Sequence, residues 1–255
     1  MLELNDVSVS YQNNFSLQDI SFGLNDGDWL MVIGPNGAGK STMVKTISGS
    51  LTYDGTISYY GQEILQMEAK EKARAIGILQ QRQETAFDYT VEEIVALGRY
   101  AYRDNMFSSK TTEDEAAIEQ ALVITGLESY RDRTIMTLSG GEQQRAYLAQ
   151  VFAQDPQILI LDEPANHLDL AYQEIIFNLI DEWLQGEQRA VISIVHDLTT
   201  AKLYGNRALL LNQGHMVAEG SVAEVMAAQN LDRVYQTNVY KRMRERAAVW
   251  MEQVI

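Results

Sequence analysis

Cysteine is absent from the 255-residue sequence. No disulfide framework and no thiolate metal site can form without it, and the composition suits a reducing compartment. Basic residues are scarce: 20 Lys and Arg face 35 Asp and Glu, a formal net charge of −15. A surface of that sign opposes general affinity for nucleic acid or anionic lipid headgroups. Its plainest effect is solubility. Long apolar runs are missing as well. None approaches the roughly 18 residues of a membrane-spanning helix. The opening MLELNDVSVS has neither the basic nor the apolar region of a secretory signal. No internal repeat or low-complexity tract interrupts the chain.

What is present is an apolar fraction of 46%, enough for a substantial core in one large domain or two closely packed lobes. The sequence is organised around Gly34-Pro35-Asn36-Gly37-Ala38-Gly39-Lys40-Ser41-Thr42, which fits G-x-x-x-x-G-K-[ST] without a gap. The apolar run Trp29 to Ile33 before it suits a strand buried on both faces, and Lys40 to Ser48 after it reads as a helix ended by Gly49. Strand, glycine loop and helix together turn backbone N–H groups inward at the positive end of a helix, a nest for phosphate. Lys40 adds a point charge for the β- and γ-phosphates, and Ser41 offers a hydroxyl to Mg²⁺.

Around this motif, Leu2–Tyr11, Phe15–Leu24 and residues 51–60 carry antiparallel strand patterns. Tyr11, at a strand end, fits either half-buried packing or stacking on a base. Helical periodicity marks Val91–Leu97 and Glu113–Gly126, with a polar connection over Ala101–Thr112. Strands return at Gln157–Leu161, Ala190–Val195, Arg207–Leu211 and His215–Glu219. Between the first two lies an amphipathic helix, Ala171–Gln185, with Ile175, Ile176, Leu179, Ile180 and Trp183 predicted inward. Strands alternating with helices make a parallel α/β sheet. The charged stretch Lys241–Arg246 fits either a solvated helix face or a docking patch.

Three further motifs carry chemistry. Ile158–Leu161 runs into Asp162-Glu163-Pro164, placing two carboxylates at the C-terminal end of a strand, where open α/β sheets bind ligands. Asp162 is placed to hold Mg²⁺ through water, and Glu163 to orient or deprotonate the water that attacks a γ-phosphate. His196 ends the next core strand. It is either a structural histidine or a group that hydrogen-bonds the γ-phosphate and steadies that water. His215 reads as surface, and His167 is left open. Leu138-Ser139-Gly140-Gly141-Glu142-Gln143-Gln144-Arg145 offers a serine helix cap and two glycines, by physics either an ordinary capped helix or a second anion-binding helix start.

Phosphate loop, LSGGEQQR, ILILDEP and a strand-end histidine, in this order and spacing, resemble the ATP-binding cassette of ABC transporters over about Leu2 to Asn238. The resemblance implies an α/β fold with a P-loop NTPase core, a mostly parallel sheet, an antiparallel β subdomain and an inserted helical subdomain. It divides the chain into a single ATPase domain over 1–240 and a tail over 241–255. Within the domain, 1–89 and 155–240 form the core and 90–154 the helical insert. It implies that Tyr11 stacks on adenine and that Gln81, with Gln80 as rival, senses the γ-phosphate and Mg²⁺. Asp169 would lie in a loop crossing to a partner subunit, and His196 would be a switch histidine. Ser139, Gly140 and Gly141 would bind ATP held by a second copy, so that a head-to-tail pair closes around two ATP molecules. Two departures stand out. Glu142 occupies a position where the family most often has glutamine, and Ala165 replaces a common threonine.

The helical insert of such proteins grips a transmembrane permease, which places the subunit peripherally on the cytoplasmic face of the membrane. Thr90-Val91-Glu92-Glu93-Ile94-Val95-Ala96-Leu97-Gly98-Arg99-Tyr100 resembles importers of iron–siderophore, haem or cobalamin, which also work with an extracytoplasmic binding protein. A soluble iron–sulfur assembly ATPase and an export cassette are the alternatives. A nucleic-acid-linked cassette fits less well, since such chains usually carry two cassettes or a long coiled coil.

Overall fold

The computed structural model describes residues 1–11, 14–80, 88–103 and 109–251. In chain order its elements are β1 (Leu2–Tyr11), β2 (Asn14–Leu24), β3 (Trp29–Ile33), α1 (Lys40–Ile47), β4 (Asp54–Tyr59), β5 (Gln62–Glu63), α2 (Ala69–Ala75) and β6 (Ile76–Leu79). Then come α3 (Val91–Leu97), α4 (Thr112–Thr125), α5 (Gly140–Gln154), β7 (Ile158–Asp162), α6 (Leu170–Leu184), β8 (Ala190–Ile194) and α7 (Leu198–Tyr204). The chain closes with β9 (Arg207–Asn212), β10 (His215–Ser221), α8 (Val222–Val225), α9 (Ala228–Tyr235) and α10 (Val239–Met251).

The strands form one mixed sheet in the order β5-β4-β1-β2-β10-β9-β3-β8-β7-β6. From β9 to β6 every neighbour is parallel. The first four strands pair antiparallel. Strand β10 pairs antiparallel with β9 and joins the two parts through one parallel pair, its His215 with Gln18 of β2. The parallel strands are predominantly apolar because both of their faces are covered. Along β3, Trp29, Met31 and Ile33 pack on one side with α3–α6, while Leu30 and Val32 pack on the other with α1 and the antiparallel strands. The same alternation divides β7, β8 and β9 between the two cores.

Helices α3, α4 and α5 each start with a complete capping box, Thr90 with Glu93, Thr111 with Asp114, and Ser139 with Glu142. Asp114 has a second partner, the buried guanidinium of Arg99 at 2.9 Å. Burial works against its charged form, but the bonds from Arg99 and Thr111 outweigh it and hold the carboxyl below its usual range.

The structure corrects one face assignment and adds elements. Ile175 is 41% exposed, not inward. The buried stripe of α6 runs through Ile176, Phe177, Ile180, Trp183 and Leu184, and Ile175 falls one step outside it at about 100° per residue. Strand β6 and helices α8 and α9 were not anticipated; each is short, and brief apolar runs do not separate helix from strand.

Candidate functional site

The glycine loop lies between the end of β3 and the start of α1. Gly39, the residue before α1, has φ +104°, and a Cβ there would stand 2.7 Å from the Ser16 carbonyl oxygen. Only glycine fits that turn. No side chain caps α1, and its first turn has no acidic residue. Its leading amides are left to an external acceptor. Ser16, residues 36–42, Glu163 and His196 line a cavity of about 260 Å³ over this helix start.

Lys40 is buried. Its ammonium donates to the carbonyl oxygens of Gly34 at 2.8 Å and Pro35 at 3.0 Å. Burial lowers its pKa, against the opposing pull of Glu163 and Asp162. The hydroxyl of Thr42 shares a hydrogen bond with that of Ser16 at 2.8 Å, which ties the helix to β2. Ser16 was not anticipated as a site residue; nothing in its local sequence marks it.

Asp162 closes β7. One of its carboxylate oxygens, Oδ1, is buried without a hydrogen-bond partner. The side chain lies beside the Ser41 hydroxyl. Burial raises its pKa and the neighbouring Glu163 carboxylate adds to the rise, while Ser41, Lys40 and His196 oppose it. An orphaned buried carboxylate oxygen beside a hydroxyl is a hard-oxygen donor set that suits Mg²⁺. Among the described residues no cluster of three or more His, Asp or Glu forms a metal cage. Mg²⁺ held by one or two protein oxygens and substrate phosphates needs none.

Glu163 follows with φ +54°, and His167 with φ +65°. Positive φ at two non-glycine residues within one short loop marks a tightly determined turn. Glu163 Oε1 is hydrogen-bonded to His196 Nε2, and Asn166 Nδ2 donates to Oε2 at 2.6 Å. The structure thus brings Asp162, Glu163 and His196 to the rim of the glycine loop, and His196 contacts the carboxylate directly. Asn166 is a further contact of the carboxylate. His215 is exposed, as read.

Ser139, Gly140 and Gly141 lie elsewhere, and none of them lines the phosphate cavity. Ser139 precedes α5. Its hydroxyl accepts from the Glu142 amide at 3.3 Å, and Glu142 Oε2 accepts from the Ser139 amide at 2.7 Å. The spacing S-x-x-E signals this box in the sequence. It also accounts for the Glu142 side chain, whose carboxyl is held below its usual range chiefly by the Ser139 amide. Gly141 is packed so closely on Tyr172 that a Cβ would meet its ring at 2.4 Å. Asp169 is exposed and caps α6 by accepting from the Tyr172 amide at 3.0 Å. Gln144 Nε2 donates to the Pro164 carbonyl at 2.7 Å, which joins α5 to the loop carrying Glu163. Gln81 lies outside the described residues, and so does the side chain of Tyr11; the exposed Gln80 is described.

The profile of the ABC transporter family matches residues 17–166. An uncharacterised ABC transporter ATP-binding protein of Bacillus subtilis (strain 168) is 36% identical over 234 residues, which cover 91% of this chain and 53% of that protein. The ferric enterobactin transport ATP-binding protein of Escherichia coli (strain K12) is 35% identical over 230 residues, 90% of this chain and 84% of its own. Among solved structures, an inward-facing ABC transporter assigned to the metal-chelate type superposes with a TM-score of 0.81 at 29% identity, over 92% of this chain and 88% of that one.

Proposed function

The chain belongs to the ABC transporter family of ATPases, and from that premise we propose that it drives a membrane permease as one of two copies closed head to tail around two ATP molecules. The observation that carries this reading is the separation of its two anion-binding helix starts. The phosphate cavity over α1 receives nothing from Ser139–Gly141 of the same chain. The exposed Ser139 and Gly140 are free to meet ATP seated in another copy.

In the proposed reaction, amides of residues 36–42 and the Lys40 ammonium hold the β- and γ-phosphates. ATP displaces the Gly34 and Pro35 carbonyls as partners of that ammonium. Glu163 takes a proton from the attacking water, whose oxygen forms a bond to the γ-phosphorus as the bond to the ADP oxygen breaks. His196 steadies the Glu163 carboxylate and the γ-phosphate. Asp162 and Ser41 would hold Mg²⁺, which neutralises phosphate charge when bound. Tyr11 would stack on adenine, Gln81 would report the γ-phosphate to the helices that follow it, and Asp169 would contact the partner.

Import of a metal chelate is the favoured task. It is supported by the ferric enterobactin relative, by the metal-chelate type of the similar structure, and by the stretch Thr90–Tyr100. That stretch forms α3, which packs on α5 in the same core. Closure acting on Ser139 would therefore move α3 against a permease, and a binding protein on the far side of the membrane would deliver the chelate.

Glu163→Gln is the decisive variant. It is expected to bind ATP, to lose turnover by about 10³-fold, and to accumulate as a pair in light scattering. Purified from membranes, it should retain a multi-span partner. Turnover like the wild type would overturn the role of Glu163.

A further inference from the structure

Helix α10 is the anomaly of this molecule's surface. It carries Lys241, Arg242, Arg244 and Arg246 against one acid, Glu245, a net +3. The other residues together therefore stand at −18 within a chain of −15. Among the described residues Lys241 pairs with Glu245 alone, at 3.9 Å along the same helix. Among the described residues Arg242, Arg244 and Arg246 enter no ion pair, although acids outnumber bases across the chain.

The helix also has an unfinished apolar face. At about 3.6 residues per turn, Val239, Tyr240, Met243, Ala247, Trp250 and Met251 share one side. The first half of this stripe is docked: Val239 is buried, and Tyr240 and Met243 pack against the core. The second half continues past the core, with Trp250 76% and Met251 72% exposed. Arg242 and Arg246 flank the stripe on one side, Lys241 and Arg244 on the other.

Its position decides what covers it. Tyr235, at the end of α9, lies beside the Gly34 backbone of the phosphate loop. The Tyr240 ring lies 5.6 Å from the ammonium of Lys202 on α7, the helix that starts two residues after His196. The root of α10 is thus anchored beside the rim that must be closed by another chain under the proposed function. Leu203, 72% exposed on α7, extends the apolar surface there.

We propose that the free half of α10 docks on a second copy of this chain, its arginines meeting the acidic surface of that copy and Trp250 and Met251 covering apolar surface beside the shared site. The inference rests on ATP-driven pairing. An anionic membrane is the competing occupant for a basic helix with a terminal tryptophan. The acidic body that carries the helix opposes approach to such a surface, whereas a second copy supplies complementary charge.

The test uses the full-length protein with Glu163→Gln, so that ATP is retained. Pairing in ATP is measured by sedimentation at low and moderate salt, with and without Arg242→Glu, Arg244→Glu and Arg246→Glu together, and separately with Trp250→Ser. The charge reversal is expected to weaken pairing about tenfold at low salt and to flatten its salt dependence. Trp250→Ser is expected to weaken pairing at every salt concentration. Unchanged pairing in both variants overturns this inference alone. Failure of the Glu163→Gln parent to pair in ATP overturns the head-to-tail reading and the inference with it. Binding to vesicles containing phosphatidylglycerol that the charge reversal abolishes, with pairing unchanged, also overturns it.

Discussion

Two helix starts in this molecule carry the proposed nucleotide contacts, and they are built in opposite ways. At α1 no side chain caps the helix, no acid sits in the first turn, and the turn is closed by a residue only glycine can be. At α5 the capping box of Ser139 and Glu142 occupies the amides of those two residues, leaving those of Gly140 and Gly141 open, and a carboxylate stands in the first turn. The first is open within its own chain. The second is partly closed within its own chain, because the Ser139 hydroxyl and two of its amides are already engaged. A helix dipole alone therefore does not make a phosphate site; what matters is which amides the sequence leaves without partners. Under the proposed function the α1 site binds ATP alone, while the α5 site responds only when a phosphate is presented to it already held.

The contrast can be broken most severely at α5. Ser139→Arg puts a long cation where the partner's phosphate would approach. Turnover is expected to fall at least about a hundredfold, while a fluorescent ATP analogue still binds the single chain; cooperative turnover in this variant would show that the two starts do not share a ligand. Gly39→Ala tests the other start. The added methyl meets Ser16 and Leu17 at a backbone angle that alanine disfavours. It is expected to cost about 2 kcal/mol of stability in urea titration and to weaken ATP binding about tenfold. Wild-type stability would mean that the loop relaxes easily.

Glu142→Gln should have the smallest effect and sharpen the comparison most. Glutamine can keep the box while removing the charge that faces an incoming phosphate. Pairing in ATP is expected to tighten about threefold. The variant also tests a pH limb. The native Glu142 carboxyl is lowered, so its contribution is complete above the unfolded value of about 4.3 and is lost as pH falls through the lower native value. Acid unfolding curves of the two proteins should converge below that range and separate above it.

Much of this was legible in the sequence because it depends on local pattern. The two-faced strands show as apolar runs at Trp29–Ile33 and Ile158–Leu161, and the glycine loop, the Asp162-Glu163 pair and His196 mark strand ends that parallel pairing brings to one edge. What was not legible depends on partners far apart in the chain. The Ser16–Thr42 bond, the Gln144–Pro164 bond and the Tyr235–Gly34 contact leave no local signature. The Glu142 box did leave one, and a search for S-x-x-E would have found it. Ile175 shows the limit of reading a helix face from apolar residues, since an isoleucine adjacent to the stripe is not on it.

The narrow join between the two parts of the sheet has a mechanical consequence. Gln18 and His215 form the one strand pair across it. Two backbone bonds cross the same place in series: the Gln18 amide to the Gly214 carbonyl at 2.9 Å, and the Gly214 amide to the Ala38 carbonyl at 3.0 Å. The glycine loop is therefore fastened by backbone bonds to the seam between the parallel and antiparallel parts of the sheet. A nucleotide held in that loop would bear on the seam through these two bonds.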